Sequence, residues 1–265
     1  ANLFRQVGMN MVLLPDMSNT EEAPPGANQS LMDQAPLYIS EGLTFPYVKG
    51  LEFIKFIKSR EGWAAINKMY ADLPASTEQI LHPEKYLPET RDYPTEVKLA
   101  DITKLLPPDK WQLLLQNIMG ELNVDILLRE FMPTLKTELI SAGWDGDEFA
   151  VWENKDTKQI VLVWFTTWDT TKDAREFFNA YNKLVARKYQ TPTVLKKESA
   201  YRLWQSVSPT GINSVPTPVR GDAPHEASGE TKPEQADLVL LERHDQDVLI
   251  IEGMTKELLE PLTQA

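Results

Sequence analysis

The chain has no cysteine and only three histidines among 265 residues. Disulfides, thiolate nucleophiles, iron–sulfur clusters and cysteine-type zinc sites are thereby excluded, while the compartment stays open, because exported proteins also do without cysteine. Basic charge is scarce as well. Lys and Arg number 27 against 39 Asp and Glu, a net charge of -12, and no basic block interleaves with aromatics. A nucleic-acid partner is therefore not expected. Long apolar runs are missing too. Met9 to Leu14 is the longest near the N-terminus, too short to span a bilayer, and no basic segment with a cleavage site precedes it. No membrane insertion is expected.

What is present is enough apolar material for a core, 42% hydrophobic and 9% aromatic, in a length that suits one large domain or two ordinary ones. The chain divides by character near residue 142. Residues 1–142 read as mainly helical. Phe4, Val7, Met11 and Leu14 have helical spacing and, with the start at Ala1, suggest a helix end separated from a preceding part. A loop follows, with Pro24-Pro25-Gly26. Tyr47, Leu51, Ile54 and Ile57 predict a buried helical stripe ended by Gly62, and Trp63, Ile66, Tyr70 and Leu73 a second one stopped by Pro74. Pro88 to Pro108 is irregular. Asp109 is placed to cap a helix burying Trp111, Leu114, Leu115 and Ile118, and more helix is expected over 126–131 and 134–142.

Residues 143–265 read as an α+β domain with an antiparallel sheet in the order ββαβββα. Its expected strands are Phe149 to Glu153, Gln159 to Trp168, Tyr201 to Val207, Leu238 to Glu242 and Val248 to Ile251. Between the second and third lies a helix capped by Asp169 or Thr170, with Ala174, Phe177, Phe178, Tyr181, Leu184 and Val185 on one face, and a last helix runs from Thr255 to Leu262. A proline-rich loop occupies 208–236.

Self-contained active sites are not found. There is no Gly-x-Ser-x-Gly elbow, phosphate-binding Gly-x-x-x-x-Gly-Lys, dinucleotide fingerprint or His-Glu-x-x-His helix. His82, His225 and His244 occupy three unlike settings, so no histidine metal site is expected. Asp145, Asp147 and Glu148 are close together as in some calcium loops but lack the distant ligands of one, and read as a solvated turn into a strand. In Pro74-Ala75-Ser76-Thr77-Glu78-Gln79-Ile80-Leu81-His82-Pro83-Glu84-Lys85-Tyr86, Ser76 and Gln79 have capping-box spacing. Glu78 and His82, four apart, share a helical face and can hydrogen-bond.

That stretch belongs to a larger pattern: Leu43-Thr44-Phe45-Pro46-Tyr47-Val48-Lys49-Gly50, Gly62-Trp63, Gly143-Trp144-Asp145-Gly146-Asp147, Trp168-Asp169 and Asp173-Ala174-Arg175-Glu176-Phe177. In this order, across about residues 37–185, these blocks resemble the C-terminal region of an uncharacterised bacterial family classed with zincin-like zinc metallopeptidases. In complete members, the resemblance implies, an upstream His-Glu-x-x-His helix and a later Glu-Gly-Asp/Glu-Ala helix supply the zinc ligands and the general base. Neither motif occurs in these residues. The implied cofactor of this chain is therefore none, with zinc expected only if the upstream motif accompanies it. The resemblance also suggests auxiliary catalytic roles. Ser76-Thr77…His82-Pro83 is similar, with an insertion, to a zincin Ser-Thr-His-Pro stretch whose histidine donates to the oxyanion of the tetrahedral intermediate, a contribution of about 3 kcal/mol. Glu78 would orient His82, and Tyr86 would be a second donor. The expectation is the C-terminal portion of a metallopeptidase-like protein, inactive by itself. The alternative is a non-catalytic binding module, an exported one if a signal-peptide cleavage site precedes Ala1, with a peptide or protein partner. Oligomeric state and substrate are not encoded in any motif found.

Overall fold

Seven strands and the helices that cover them follow from two periodicities, alternation in the strands and a wide apolar face on the longest helix of the second half. In the computed structural model the described residues are 35–189, 192–207 and 236–259. The helical reading of residues 1–14, the loop around Pro24, most of the proline-rich segment and His225 lie outside them.

The first helix, α1, spans Leu37–Met69, with Pro46 inside it and a break at Gly62, whose φ of 73° and ψ of -171° are available to glycine. α2 is Thr77–Leu81, followed by a 3₁₀ turn at Pro83–Tyr86. Next come β1 (Trp111–Asn117), α3 (Gly120–Phe131), α4 (Glu138–Ser141), β2 (Trp144–Asn154), β3 (Ile160–Trp168) and α5 (Thr171–Lys188). β4 (Thr193–Lys197), β5 (Tyr201–Val207), β6 (Ala236–His244) and β7 (Asp247–Met254) complete the sheet, and residues 256–259 begin a helical turn. The fold is α+β, a helical N-terminal part and one antiparallel sheet in the order β1-β2-β3-β7-β6-β5-β4.

α5 forms as its sequence demands. The Thr170 side chain accepts from Asp173 N at its start, Arg187 and Lys188 end it, and Ala174, Phe177, Phe178, Tyr181, Leu184 and Val185 are all buried on the sheet. Trp168 stacks on Phe177 with ring centroids 4.5 Å apart, and Trp164 meets Phe177 and Tyr181 edge-on. This inner core also takes in Val124 and Leu128 of α3 and Met132 just beyond its end. On the outer sheet face Ile102 and Leu106, from an irregular crossing segment, pack on Val161, Leu240 and Ile251.

Four sequence expectations need correction. Trp111 to Ile118 is not a helix: it is β1, paired with β2 from Trp111↔Asn154 to Asn117↔Phe149. Strand pairing outweighed the helical spacing, and it carries the sheet across residue 142. β4 was not expected, so the strand order gains one member at each end, β1 and β4. The buried side of α1 is Phe53, Ile57, Ile66 and Met69, whereas Tyr47, Leu51, Trp63 and Tyr70 are exposed. The helix expected over 134–142 shrinks to α4, because residues before it turn through Leu135 N to Met132 O and Thr137 N to Leu135 O. Among the described residues no helix is long and apolar enough to cross a membrane.

Candidate functional site

Ser76 caps α2 by accepting from Gln79 N at 3.3 Å, and the Gln79 side chain accepts from Ala75 N at 2.8 Å, a capping box displaced by one residue. Pro83 then forces His82 out of helical geometry, to φ -119° and ψ 77°, after its amide has closed the turn on Glu78 O at 2.7 Å. The imidazole is thereby aimed at the first turn of α3.

His82 Nε2 lies 2.9 Å from Glu121 Oε1. Glu121 is 2% exposed and its Oε2 is buried without a hydrogen-bond partner. The hydrogen bond to Glu121 raises the His82 pKa above the usual histidine value against the cost of burial, while burial raises that of Glu121. Nδ1 faces outward, 3.9 Å from Glu84 Oε1, beyond hydrogen-bonding distance, and the side chain is part-exposed.

The chain positions Glu121 by an unusual anchor. Asp147, 2% exposed, accepts from Met119 N at 2.8 Å and Gly120 N at 2.9 Å, and from the indoles of Trp144 at 2.8 Å and Trp164 at 2.9 Å. It fixes the start of α3 to the sheet. Gly120 has φ +72°, and a Cβ there would stand 3.0 Å from Thr77 Oγ1, which itself accepts from Leu122 N at 3.3 Å. α2 and α3 meet end to end through this contact. The expectation that Asp147 is solvated is therefore corrected. Burial raises its pKa, and four N–H donors pull it back.

Glu78 does not hold His82. Its carboxylate, 1% exposed, accepts from Lys85 Nζ at 2.6 Å. Lys85 also lies 3.0 Å from Asp92 and 3.2 Å from Asp169. Burial pushes Glu78 up to about 7, and the hydrogen bond to Lys85 opposes the rise. Burial acts against the Lys85 charge, yet Glu78 and Asp92 hold it above the usual lysine range. We assign Lys85 as protonated, because three carboxylates surround it. Tyr86 is no second donor beside His82. Its hydroxyl donates to Asp72 O at 2.6 Å, while its ring packs edge-on against Phe53 and under Arg91. Of the three candidates, the structure brings His82 and Glu78 to one charged cluster and turns Tyr86 away. Glu121, 39 residues downstream, had no local signal beyond an acidic residue at a helix start.

The cluster does not suit zinc. Glu78, Asp92 and Asp169 bring carboxylate oxygens within 4.8 Å of one another, but they are hard oxygen ligands and Lys85 Nζ already lies among them. His82 has its Nε2 committed to Glu121. Among the described residues no zinc set of the zincin type is assembled.

Comparison with known proteins adds little chemistry. The model of a domain of unknown function, DUF8575, matches residues 113–212, a segment running from β1 past β5. No curated protein matches the chain. Among solved structures, the chain is similar to the extracellular domain of PknH from Mycobacterium tuberculosis, at 9% sequence identity and a TM-score of 0.30, over 64% of this chain and 93% of that chain.

Proposed function

We propose that the chain is the C-terminal, non-metal-binding portion of a metallopeptidase-like protein and that it presents His82 to a tetrahedral intermediate formed elsewhere in that protein. The observation that carries this reading is the buried grip of Glu121 on His82 Nε2 at 2.9 Å. A carboxylate on one ring nitrogen fixes the tautomer and favours the imidazolium, leaving the Nδ1 hydrogen to donate outward. Such a preorganised donor stabilises developing negative charge on a substrate carbonyl oxygen. Glu121 acts through His82 as a positioning residue, and Asp147 and Gly120 hold Glu121. Glu78 is tied to Lys85 and has no role at the reacting atoms.

The test uses the longest product of the gene, assayed for zinc content and for peptide hydrolysis, with His82→Ala and Glu121→Gln. The expected result is zinc retained in both variants, kcat reduced about 100-fold in His82→Ala with KM little changed, and a lower pKa in the pH profile of Glu121→Gln. A longest product free of zinc and of hydrolytic activity overturns the proposal.

A second reading, a binding module for a peptide or protein, draws on the exposed apolar residues of α1, Ile39, Leu43, Tyr47 and Leu51, which succeed one another at four-residue steps. Capture of a defined partner lost on Leu43→Lys, with hydrolysis absent throughout, would favour it.

A further inference from the structure

Residues 95–102 form a strap without regular secondary structure on the outer face of the sheet. It is held at intervals. Thr95 N donates to Asp145 O at 2.8 Å and the Thr95 hydroxyl to Asp145 Oδ2 at 2.7 Å, Leu99 N donates to Glu148 Oε2 at 2.6 Å, and Ile102 packs into the outer core. Between strap and sheet lies a cavity of about 270 Å³. Its floor is Trp152 of β2, Val163 and Phe165 of β3, and Leu249 and Ile251 of β7, and the strap closes it with Leu99, Ala100 and Ile102. Val163 pairs with Ile251 and Phe165 with Leu249, so these four side chains make one continuous apolar surface.

A second space of about 280 Å³ adjoins the first, sharing Leu99, Ala100, Ile102 and Trp152 with it. Apolar space thus lies on both sides of the strap. Among the described residues that line the first cavity, Lys98 alone carries a charge. Its side chain is 77% exposed, which places the ammonium at the mouth, and its Nζ is 2.9 Å from Glu96, itself 78% exposed. So exposed a pair is held by little energy, and Lys98 can exchange Glu96 for another carboxylate at small cost. Glu148, which meets the strap at Leu99, has its oxygens engaged by Leu99 N and Gln116 Nε2.

A void walled by apolar side chains deprives them of contacts that a ligand restores, and a cavity of about 150 Å³ already holds a benzene ring. This one is nearly twice as large. Its walls are mainly aliphatic and more apolar space adjoins it, which suits a flexible chain better than a rigid ring. The cation at its mouth calls for an anionic head. We propose that the cavity binds a medium-chain fatty acid, with the acyl tail against Trp152, Phe165 and Leu249 and the carboxylate on Lys98. This site is separate from His82 and does not depend on the peptidase reading.

The test is a titration of the folded chain with hexanoate, octanoate and decanoate, each below its micelle concentration, followed through the tryptophan indole N–H resonances by NMR. Trp152→Phe assigns the signal of interest. The expected result is a saturable shift at Trp152 and none at Trp164, whose indole donates to Asp147 on the other face of the sheet. Affinity should rise about fourfold for each added methylene. 1-Octanol should bind at least about fivefold more weakly than octanoate, and Lys98→Met should weaken octanoate by the same factor while leaving octanol unchanged. Lys98 is exposed, so its variant keeps the fold. No saturable shift in the millimolar range, an equal shift at Trp164, octanol binding as tightly as octanoate, or octanoate binding unaltered in Lys98→Met overturns the proposal. Sedimentation of the chain with phosphatidylglycerol vesicles in place of fatty-acid binding would assign the surface to a membrane and overturn it too.

Discussion

Asp147 accepts the backbone amides of Met119 and Gly120, at 2.8 and 2.9 Å, and through these two contacts the sheet holds the helix start that carries Glu121. The carboxylate has four N–H donors and, among the described residues, no cation. Replacing it by Ala leaves two helix amides and two indoles without acceptors in a dry environment. Asp147→Ala should lower stability by about 3 kcal/mol or more in urea unfolding. It should also lower the NMR-measured pKa of His82, since Glu121 loses its placement. A variant within about 0.5 kcal/mol of the parent would show that the anchor is dispensable.

Two buried glutamates should respond to pH in opposite directions. Glu78 has a folded pKa of about 7 against 4.5 for the ordinary group. Between those values the native state holds a proton that the unfolded chain has released. Its contribution is greatest below about pH 4.5 and falls as pH rises to about 7. Glu252 is the reverse. Burial alone would raise it, but Lys188, Tyr181 and Tyr189 donate to it and bring it below the usual range. Its contribution is present above the unfolded value and disappears as pH falls through the folded one. Melting temperature against pH should therefore lose its decline between about pH 5 and 7 in Glu78→Gln, and lose part of its acid-side fall in Glu252→Gln. Parallel profiles for both variants and the parent would sink this assignment.

Glu252→Gln should also be less stable than the parent at neutral pH, by about 3 kcal/mol, because it leaves Lys188 beside a neutral buried amide. Chemical denaturation at pH 7 measures it. Lys188→Met together with Glu252→Gln should recover part of the loss, as expected for coupled partners.

Gly253 has φ +81°, and a Cβ there would collide with Ile160 O of the neighbouring strand. Backbone cannot move aside as a flexible side chain can. Gly253→Ala should cost about 4 kcal/mol or more, or prevent folding, whereas Gly50→Ala, with open space around it, should be neutral to stabilising. Thermal melts of the two variants decide it.

Much of the second half was legible because its signals were local. Thr170 and the apolar face of α5 lie within one helix, and the β3 and β7 runs are rich in β-branched and aromatic residues. β1 was misread because Trp111, Leu114, Leu115 and Ile118 fall at helical steps. What makes it a strand is β2, some 35 residues away, and a bulge between Leu113 and Leu115 breaks the alternation that would have given it away. At the candidate site, the capped turn and the departure of His82 from helical geometry were readable from Ser76 and Pro83. The identity of its partner was not. Glu78 has the right helical spacing, but it turns to Lys85, seven residues on, while Glu121 arrives through the tertiary fold.

The strand order has a kinetic meaning. β1-β2-β3 and β4-β5-β6-β7 are each runs of strands successive in the chain, and the two runs meet only where β3 pairs with β7, from Leu162↔Glu252 to Thr167↔Asp247. Joining them brings together residues about 80 to 90 positions apart, a longer loop closure than either run needs by itself. On contact order this seam is the step expected to form last, which site-by-site folding kinetics would check. Glu252 sits on it, so the group that fixes acid sensitivity also lies where the two halves of the sheet first have to find each other.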